Sequence, residues 1–273
     1  MISVLILTKN EEHNIRACLE AVSWSDDIVV LDSGSSDQTL EIARNMGVRI
    51  LERPFDNENT HRTYSIHEIQ FKYPWVYNPD ADEITTSDLR DEMLAVVIDS
   101  DCAAYRMRFK TMFMGRWIRY SSLYPTWVVR LFRPEKLSFS RDINLHYHVD
   151  GAEGRLESHF EHHTFNNGFN AWFDKHNRYS WQEALETLKS LDCDFQLKNI
   201  FSRDQVTRRR ALKELSFHLP ARPLLRFIYM YFIRLGFLDG RRGWLYCCML
   251  SVYEFMIVLK VRELKRRRSG KGI

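Results

Sequence analysis

The first fifty residues alternate between two kinds of segment, and that alternation narrows the fold more than anything else in the sequence. Residues 2 to 7 form a continuous β-type apolar run, residues 11 to 22 carry Ile15, Leu19 and Val22 at helical spacing, and Ile28 to Leu31 is a second apolar run. Thr39 to Met46 then reads as a helix, capped by Ser36 or Asp37 and closed by Gly47, and Val48 to Leu51 as a third strand. Strand and helix in alternation predict a parallel α/β sheet with right-handed crossovers. Open sheets of this kind bind ligands beyond the C-terminal ends of their strands. The polar residues that follow each strand are therefore where chemistry is expected.

Three such ends stand out. They are Thr8-Lys9-Asn10-Glu11-Glu12, Asp32-Ser33-Gly34-Ser35-Ser36-Asp37, and Asp80-Ala81-Asp82-Glu83 after the short strand Trp75-Val76-Tyr77. All three should converge on one edge of the sheet. Two carboxylates separated by one residue at such an edge suit a hard divalent cation, Mg2+ or Mn2+, whose octahedral shell the oxygens of a nucleotide diphosphate complete. Asp82 is then the direct metal ligand, Asp80 shares the metal while lying nearer the nucleotide, and Glu83 supports them. Taken alone, an acidic run is more often a solvated helix cap. Asp32 stands where a strand gives way to a Ser and Gly turn, placed to accept from a nucleobase or ribose while Gly34 lets the backbone come close. The competing reading is an Asx turn or cap, which suits Asp37 better than Asp32.

Composition sets limits on what else the chain can be. At 273 residues, 45% hydrophobic and 27% charged, it is long enough for one large domain or a medium domain with an appendage. A net charge of +3 is too small to suggest nucleic acid, and no RNA-binding pattern interleaves basic and aromatic residues. The five cysteines, at 18, 102, 193, 247 and 248, have neither disulfide-framework nor zinc-ligand spacing, which fits a reducing compartment. The N-terminal apolar run is too short, and lacks the basic leader, for a signal peptide.

Further along, Ala103 to Phe109 and Thr126 to Phe132 read as strands and Phe169 to Leu188 as an aromatic-rich helix. His162, within the group His159, His162 and His163, is a candidate for a further metal ligand, against the commoner reading of a packed or exposed histidine. Arg178 carries the planar fork that suits a diphosphate, and equally suits a pair with Glu183 or Glu186.

Together, Leu7-Thr8-Lys9-Asn10-Glu11-Glu12, Val30-Leu31-Asp32-Ser33-Gly34-Ser35-Ser36-Asp37-Gln38-Thr39 and Asp80-Ala81-Asp82-Glu83 resemble glycosyltransferase family 2. Within the family they resemble the branch containing the lipopolysaccharide core β-1,4-glucosyltransferases. The likeness continues through Arg130-Leu131-Phe132-Arg133, His146-Tyr147-His148-Val149-Asp150-Gly151, His176-Asn177-Arg178-Tyr179 and Gly236-Phe237-Leu238-Asp239-Gly240. It implies a GT-A fold, α/β with a mixed and mainly parallel sheet between helices, a UDP-sugar donor and an inverting displacement. By the same resemblance Thr8, Glu11 and Asp32 hold the nucleoside, Asp80 and Asp82 hold the diphosphate and metal, and Arg62 lies near the phosphates. A one-step inverting transfer needs a general base for the acceptor hydroxyl. Relatives place a glutamate beside the histidine at position 146, but Leu145 and Tyr147 flank it here. Asp142 is the favoured candidate, with Asp150 and His146 itself as the others. A replaced base also fits transfer to a polyprenyl phosphate, or a scaffold that binds without catalysis.

The expected organisation is a catalytic domain over residues 1–195 and a helical region over residues 196–273. Two basic clusters, Arg203 to Lys213 and Lys260 to Lys271, flank Leu224 to Leu238 and Trp244 to Leu259. These apolar stretches fall short of the ~20 residues a helix needs to span a bilayer, and Arg226, Arg234 and Glu254 interrupt them. Helices lying in the membrane surface, or a hairpin turned at Asp239-Gly240, are expected to dock on the anionic cytoplasmic leaflet of a bacterial inner membrane. The acceptor would then be a lipid-linked or membrane-embedded saccharide. A solvated charged tail is the plainer reading.

Overall fold

The computed structural model describes residues 1–140, 146–191 and 221–272, with side chains described at 1–140, 147–189 and 221–272. The chain divides into two compact units, residues 1–117 with 123–167, and residues 118–122 with 168–273.

The first unit opens with the alternation expected: β1 (Ser3–Thr8), α1 (Ile15–Ala21), β2 (Ile28–Asp32), α2 (Thr39–Asn45), β3 (Arg49–Glu52), α3 (Glu58–His67) and β4 (Val76–Tyr77). Strands β3, β2, β1 and β4 lie side by side and parallel. After β5 (Glu83–Thr85) and α4 (Ser87–Val96) the pattern changes to long strands, β6 (Cys102–Phe113), β7 (Arg116–Trp117) and β8 (Trp127–Phe132). A small ribbon follows, β9 (Leu137–Ser140) with β10 (His146–Val149), and then β11 (Ala152–His162). The main sheet has the order β3-β2-β1-β4-β8-β6-β11-β5, with β7 paired to β6. Strand β8 is antiparallel to both β4 and β6, whereas β11 runs parallel to β6.

Alternation along β1 divides the interior. Val4 and Ile6 point to a core that also takes Ile15, Cys18 and Leu19 of α1 and Leu89 and Met93 of α4. Leu5 points the other way, into a second core with Val29, Leu31 and Ile66 of α3. Burial on both faces explains why these strands are apolar runs rather than alternating ones.

In the second unit, α5 (Gly168–Leu191) packs along the last helix. The sequence reading placed this aromatic helix in the catalytic domain. It groups instead with the C-terminal elements because its polar atoms and rings are used there: Lys260 Nζ donates to Asn177 Oδ1 (2.6 Å) and Ser180 Oγ (2.8 Å), and His176 meets Tyr253 edge to face. Next, α6 (Arg222–Ile228) runs into a π-helical turn at Tyr229–Ile233, a 3₁₀ turn at Gly236–Asp239, and α7 (Gly240–Arg268). The expected turn at Asp239-Gly240 is thus the entry to α7. That helix is longer than its apolar stretch suggested, 29 residues, because Gly240–Gly243 and the basic run to Arg268 continue it.

Asp239 fixes the second unit's borrowed segment. Its carboxylate accepts from the backbone N–H of Arg119 (3.1 Å), Tyr120 (2.9 Å) and Ser121 (2.7 Å) and from Ser121 Oγ (2.6 Å). Removing a charged acceptor shared by several donors costs about 3 kcal/mol. Asp239→Ala is therefore expected to lower the thermal midpoint by roughly 6–12 °C at ~2–4 °C per kcal/mol, with Asp239→Asn intermediate, as measured by circular dichroism.

Candidate active site

The ends of three strands do meet. Thr8 is the register partner of Asp32 across β1 and β2, and Leu7 bridges to Asp80 beyond β4. The first two loops are laced together: Asn10 N–H donates to Ser35 Oγ (2.8 Å), Ser36 N–H to Asn10 Oδ1 (2.8 Å), and Glu11 N–H to Thr39 Oγ1 (2.8 Å). Asp37 accepts from Thr39 N–H (3.0 Å) and Glu12 N–H (3.2 Å), so the capping reading of this residue fits. Glu11 Oε2 accepts from Asn14 (2.7 Å) and Asn167 (2.9 Å).

Asp32 is fully buried and its carboxylate is engaged by its own turn. Oδ2 accepts from Gly34 N–H (2.8 Å) and Ser35 N–H (2.8 Å), and Oδ1 from Ser35 Oγ (2.5 Å). The turn closes because Gly34 takes φ +86°, which side chains rarely adopt. The contacts of Asp32 are those of an Asx-type turn, at the end of β2 beside Thr8. Thr8 differs: it is 4% exposed, and among the described residues its Oγ1 has no hydrogen-bond partner. A buried hydroxyl left unpaired costs about 1–3 kcal/mol.

The acidic motif is organised by an arginine the sequence reading did not count as a site residue. Arg130 Nη2 donates to both Asp80 Oδ2 and Glu83 Oε1, the latter at 2.6 Å. The pairing register passes from Tyr105↔Leu131 to Arg106↔Val129, leaving Arg130 as the extra residue of a β-bulge. Bulges re-aim side chains in this way. The available signal was an arginine inside the apolar run Trp127–Phe132, since a buried charge needs a partner. Arg62 lies on the other side of Asp80, Nη2 to Oδ1 3.6 Å, and near Asn78 Oδ1 (3.4 Å).

These contacts separate the two carboxyls. Burial disfavours the charge on Asp80, but Arg130, Arg62 and His162 outweigh it and bring its pKa to about 2. Burial prevails at Glu83, 2% exposed, and against the pull of Arg130 lifts it to about 7. Glu83 Oε2 also accepts from Asp80 N–H (3.0 Å), closing the turn.

Asp82 meets a different partner. β11 pairs with β5 so that His162 lies opposite Glu83, and His162 Nε2 comes 3.2 Å from Asp82 Oδ2. Burial lowers the basicity of this histidine, yet the bond to Asp82 and the fields of Asp82, Glu83 and Asp80 raise it overall. Adjacent ligands of an octahedral cation with bonds of ~2.1 Å stand ~3.0 Å apart, so Asp82 and His162 fit one edge of such a shell. Asp80 is drawn to its arginines instead. Among the described residues no group of three or more His, Cys, Asp or Glu side chains is placed to hold a metal ion.

A second unforeseen residue is His61, 3% exposed. Arg53 Nη1 stands 3.0 Å from its Nδ1, and an arginine can only donate, so Nδ1 accepts. Nε2 then carries the proton and donates to Ser33 Oγ at 3.1 Å, beside Asp32. Burial and Arg53 both lower its pKa, consistent with a neutral ring.

The remaining candidates fall outside this cluster's described neighbourhood in three different ways: beyond the described residues, in a surface ion pair, or in the second unit. Asp142 and the side chain of His146 lie outside the described residues, though His146 pairs through its backbone with Ser140. Asp150 is exposed and pairs with Lys136 at 3.1 Å. Arg178 is exposed on α5 in the second unit, where Glu186 pairs with Lys189 at 2.8 Å.

Comparison with known proteins agrees with this geometry. The profile described as Glycosyl transferase family 2 matches residues 3–164. An uncharacterized glycosyltransferase of Rickettsia typhi is 24% identical over 96% of this chain and 87% of its own length. A lipopolysaccharide core biosynthesis glycosyltransferase of Rhizobium meliloti is 28% identical over 37% of this chain and 38% of its own. A mannosyltransferase from Pyrobaculum calidifontis, solved in complex with GDP-Man and Mn2+, shares the fold with a TM-score of 0.54 at 13% identity, covering 95% of this chain and 86% of that one. With a GT-A sheet, three loops converging at its edge and a family match over more than half its length, the chain belongs to glycosyl transferase family 2.

Proposed function

We propose that the protein transfers a sugar, with inversion, from a UDP-sugar to a lipid-linked or membrane saccharide of the bacterial envelope such as lipopolysaccharide core. The observation that carries this reading is the pairing of Asp82 with His162 at 3.2 Å beside an Asp80 flanked by two arginines. Asp82 and His162 together offer an oxygen and a nitrogen to a cation, while the neighbouring arginines suit phosphate oxygens. In this reading Asp82 and His162 hold Mg2+ or Mn2+, which supplies positive charge against the leaving diphosphate. Arg62 faces the same charge, and Thr8 offers its hydroxyl to the nucleoside. The acceptor's proton passes to Asp142 or His146. The segment shared with the Rhizobium meliloti enzyme supports an envelope saccharide as acceptor.

The second unit supports attachment to the inner membrane's cytoplasmic side. At 1.5 Å per residue, α7 is about 43 Å long. By length and composition alone the stretch Gly236–Arg268, with mean hydropathy 1.6 over its most apolar window, is able to cross a membrane. In-plane docking accounts for more of the structure. Lys260 is tied to polar atoms of α5, and Glu254 to Arg222 at 2.8 Å, which a spanning helix would drag into hydrocarbon. The exposed Trp244, Val252, Phe255 and Leu259 fall within about 80° of arc at 100° per residue, a stripe suited to the interface.

Calorimetry of UDP-glucose binding with Mn2+ tests the donor site. Asp82→Ala is expected to abolish the metal-dependent binding, and metal-independent binding of undiminished affinity by that variant would refute the assignment. Thr8→Val, nearly isosteric, should raise the stability of the free protein by about 1 kcal/mol yet weaken donor binding about fivefold. Phe255→Glu with Leu259→Glu should reduce co-sedimentation with phosphatidylglycerol vesicles at least tenfold, since each buried apolar side chain contributes about 1.5–3 kcal/mol. Unchanged sedimentation would remove the docking reading.

A further inference from the structure

One face of the sheet beyond the donor loops carries charge that the donor site does not use. Along β6, Tyr105 and Met107 point into the first core, so Arg106, Arg108 and Lys110 share the opposite face. The register sets Arg108 opposite Trp127 of β8 and opposite His159 of β11, and Arg106 opposite Arg155. Two guanidiniums meet one indole there: Arg108 lies 5.7 Å and Arg155 5.3 Å from the Trp127 ring centre.

The neighbouring acids answer this pair only through the exposed Glu157. Glu153 is occupied by Arg106 at 2.5 Å, and Glu161 by His163 at 3.1 Å. Arg108 donates Nη2 to the backbone carbonyl of Glu157, whose 80% exposed carboxylate stands 3.4 Å away. Arg108 Nε is buried and, among the described residues, has no hydrogen-bond partner; Arg155 makes no ion pair among them. The basicity of His159 is lowered by burial and then by Lys110 and Arg108, against Glu161 and Asp88. A guanidinium over an aromatic face is attracted to it without being neutralised, and its planar fork can still meet a bidentate oxyanion.

The place matters as much as the charge. β8 is antiparallel to β4, so Trp127, three residues before Arg130, lies about 10 Å along the sheet past the C-terminal end of β4 at ~3.3 Å per residue. This is the same edge on which Asp80 and Asp82 sit, on the side away from β1 and β2.

We infer that Arg108 and Arg155, held by Trp127, bind a phosphate group on the acceptor saccharide, so that the enzyme glycosylates a phosphorylated sugar. The inference rests on the glycosyltransferase reading and names the class of acceptor. Arg108 supplies the sheltered donor and Arg155 the exposed one, and Trp127 positions both.

Ligand-observed ³¹P NMR on the full chain, with glucose 6-phosphate as probe and inorganic phosphate for comparison, tests it. The sugar phosphate should bind more tightly than inorganic phosphate, and Arg155→Gln or Arg108→Gln should each weaken it about tenfold. Arg155→Lys should retain part of the affinity, since charge stays while the fork is lost. Arg155 is exposed, so its variants keep the fold, and Mn2+-dependent UDP-glucose binding measured on the same samples should not change. Equal affinity for inorganic phosphate, or sugar-phosphate binding indifferent to both arginines while donor binding persists, overturns the acceptor assignment and leaves the donor reading intact. Loss of phosphatidylglycerol-vesicle binding in these variants without loss of sugar-phosphate binding would also overturn it, making the face a lipid-headgroup contact. Loss of donor binding in the wild-type protein would instead defeat the underlying reading.

Discussion

A single buried guanidinium holds the acidic motif in working order. Arg130 sits between Asp80 and Glu83, and without it two carboxylates three residues apart would share a low-dielectric pocket, with Arg62 on the far side of Asp80 only. Buried charges persist only when paired and hydrogen-bonded. The bulge that turns Arg130 toward the motif is therefore a condition of the site, not a defect in β8. Asp82, between Asp80 and Glu83 in the chain, faces His162 instead of Arg130. One carboxyl, Glu83, approaches neutrality near pH 7 while the other stays ionised, so the motif carries less charge than its spelling suggests.

Much of this was legible in the chain because the signals are local. Apolar runs ending in polar clusters located β1, β2 and β4, and parallel pairing of such runs makes their ends converge. Thr8, Asp32 and Asp80 stand at those ends, whereas Arg62, within α3, was marked only by the family resemblance. His162 joined them for a different reason, since its weak motif gained weight only when β11 paired with β5. Arg130 and His61 were missed as site residues because their roles depend on a register shift and on a helix packing against a loop. Neither leaves a spacing to read. The length of α7 was underread because counting apolar residues ignores the helix-compatible basic tail that follows them.

The donor edge and the Trp127 face solve different electrostatic problems with the same residue type. At the edge, arginines are neutralised by carboxylates and so hold geometry. On the face, Trp127 lies beside two guanidiniums: Arg108 also pairs with the exposed Glu157, while Arg155 makes no ion pair among the described residues and keeps its fork for a ligand. The protein thus stores some arginines as structure and others as recognition.

The Asp239 clamp bears on the order in which this protein can mature. Ser121 leaves the ribosome 118 residues ahead of the carboxylate that will hold it. At 5–20 residues per second that is a wait of roughly 6–24 s. Through that interval residues 118–122 have no acceptor from Asp239, although most of the first unit has already been made. A ribosome that stalls or terminates before residue 239 therefore releases a chain whose sheet is complete in sequence but whose borrowed segment is unclaimed, an arrangement that ties quality control of the whole protein to the arrival of its C-terminal unit.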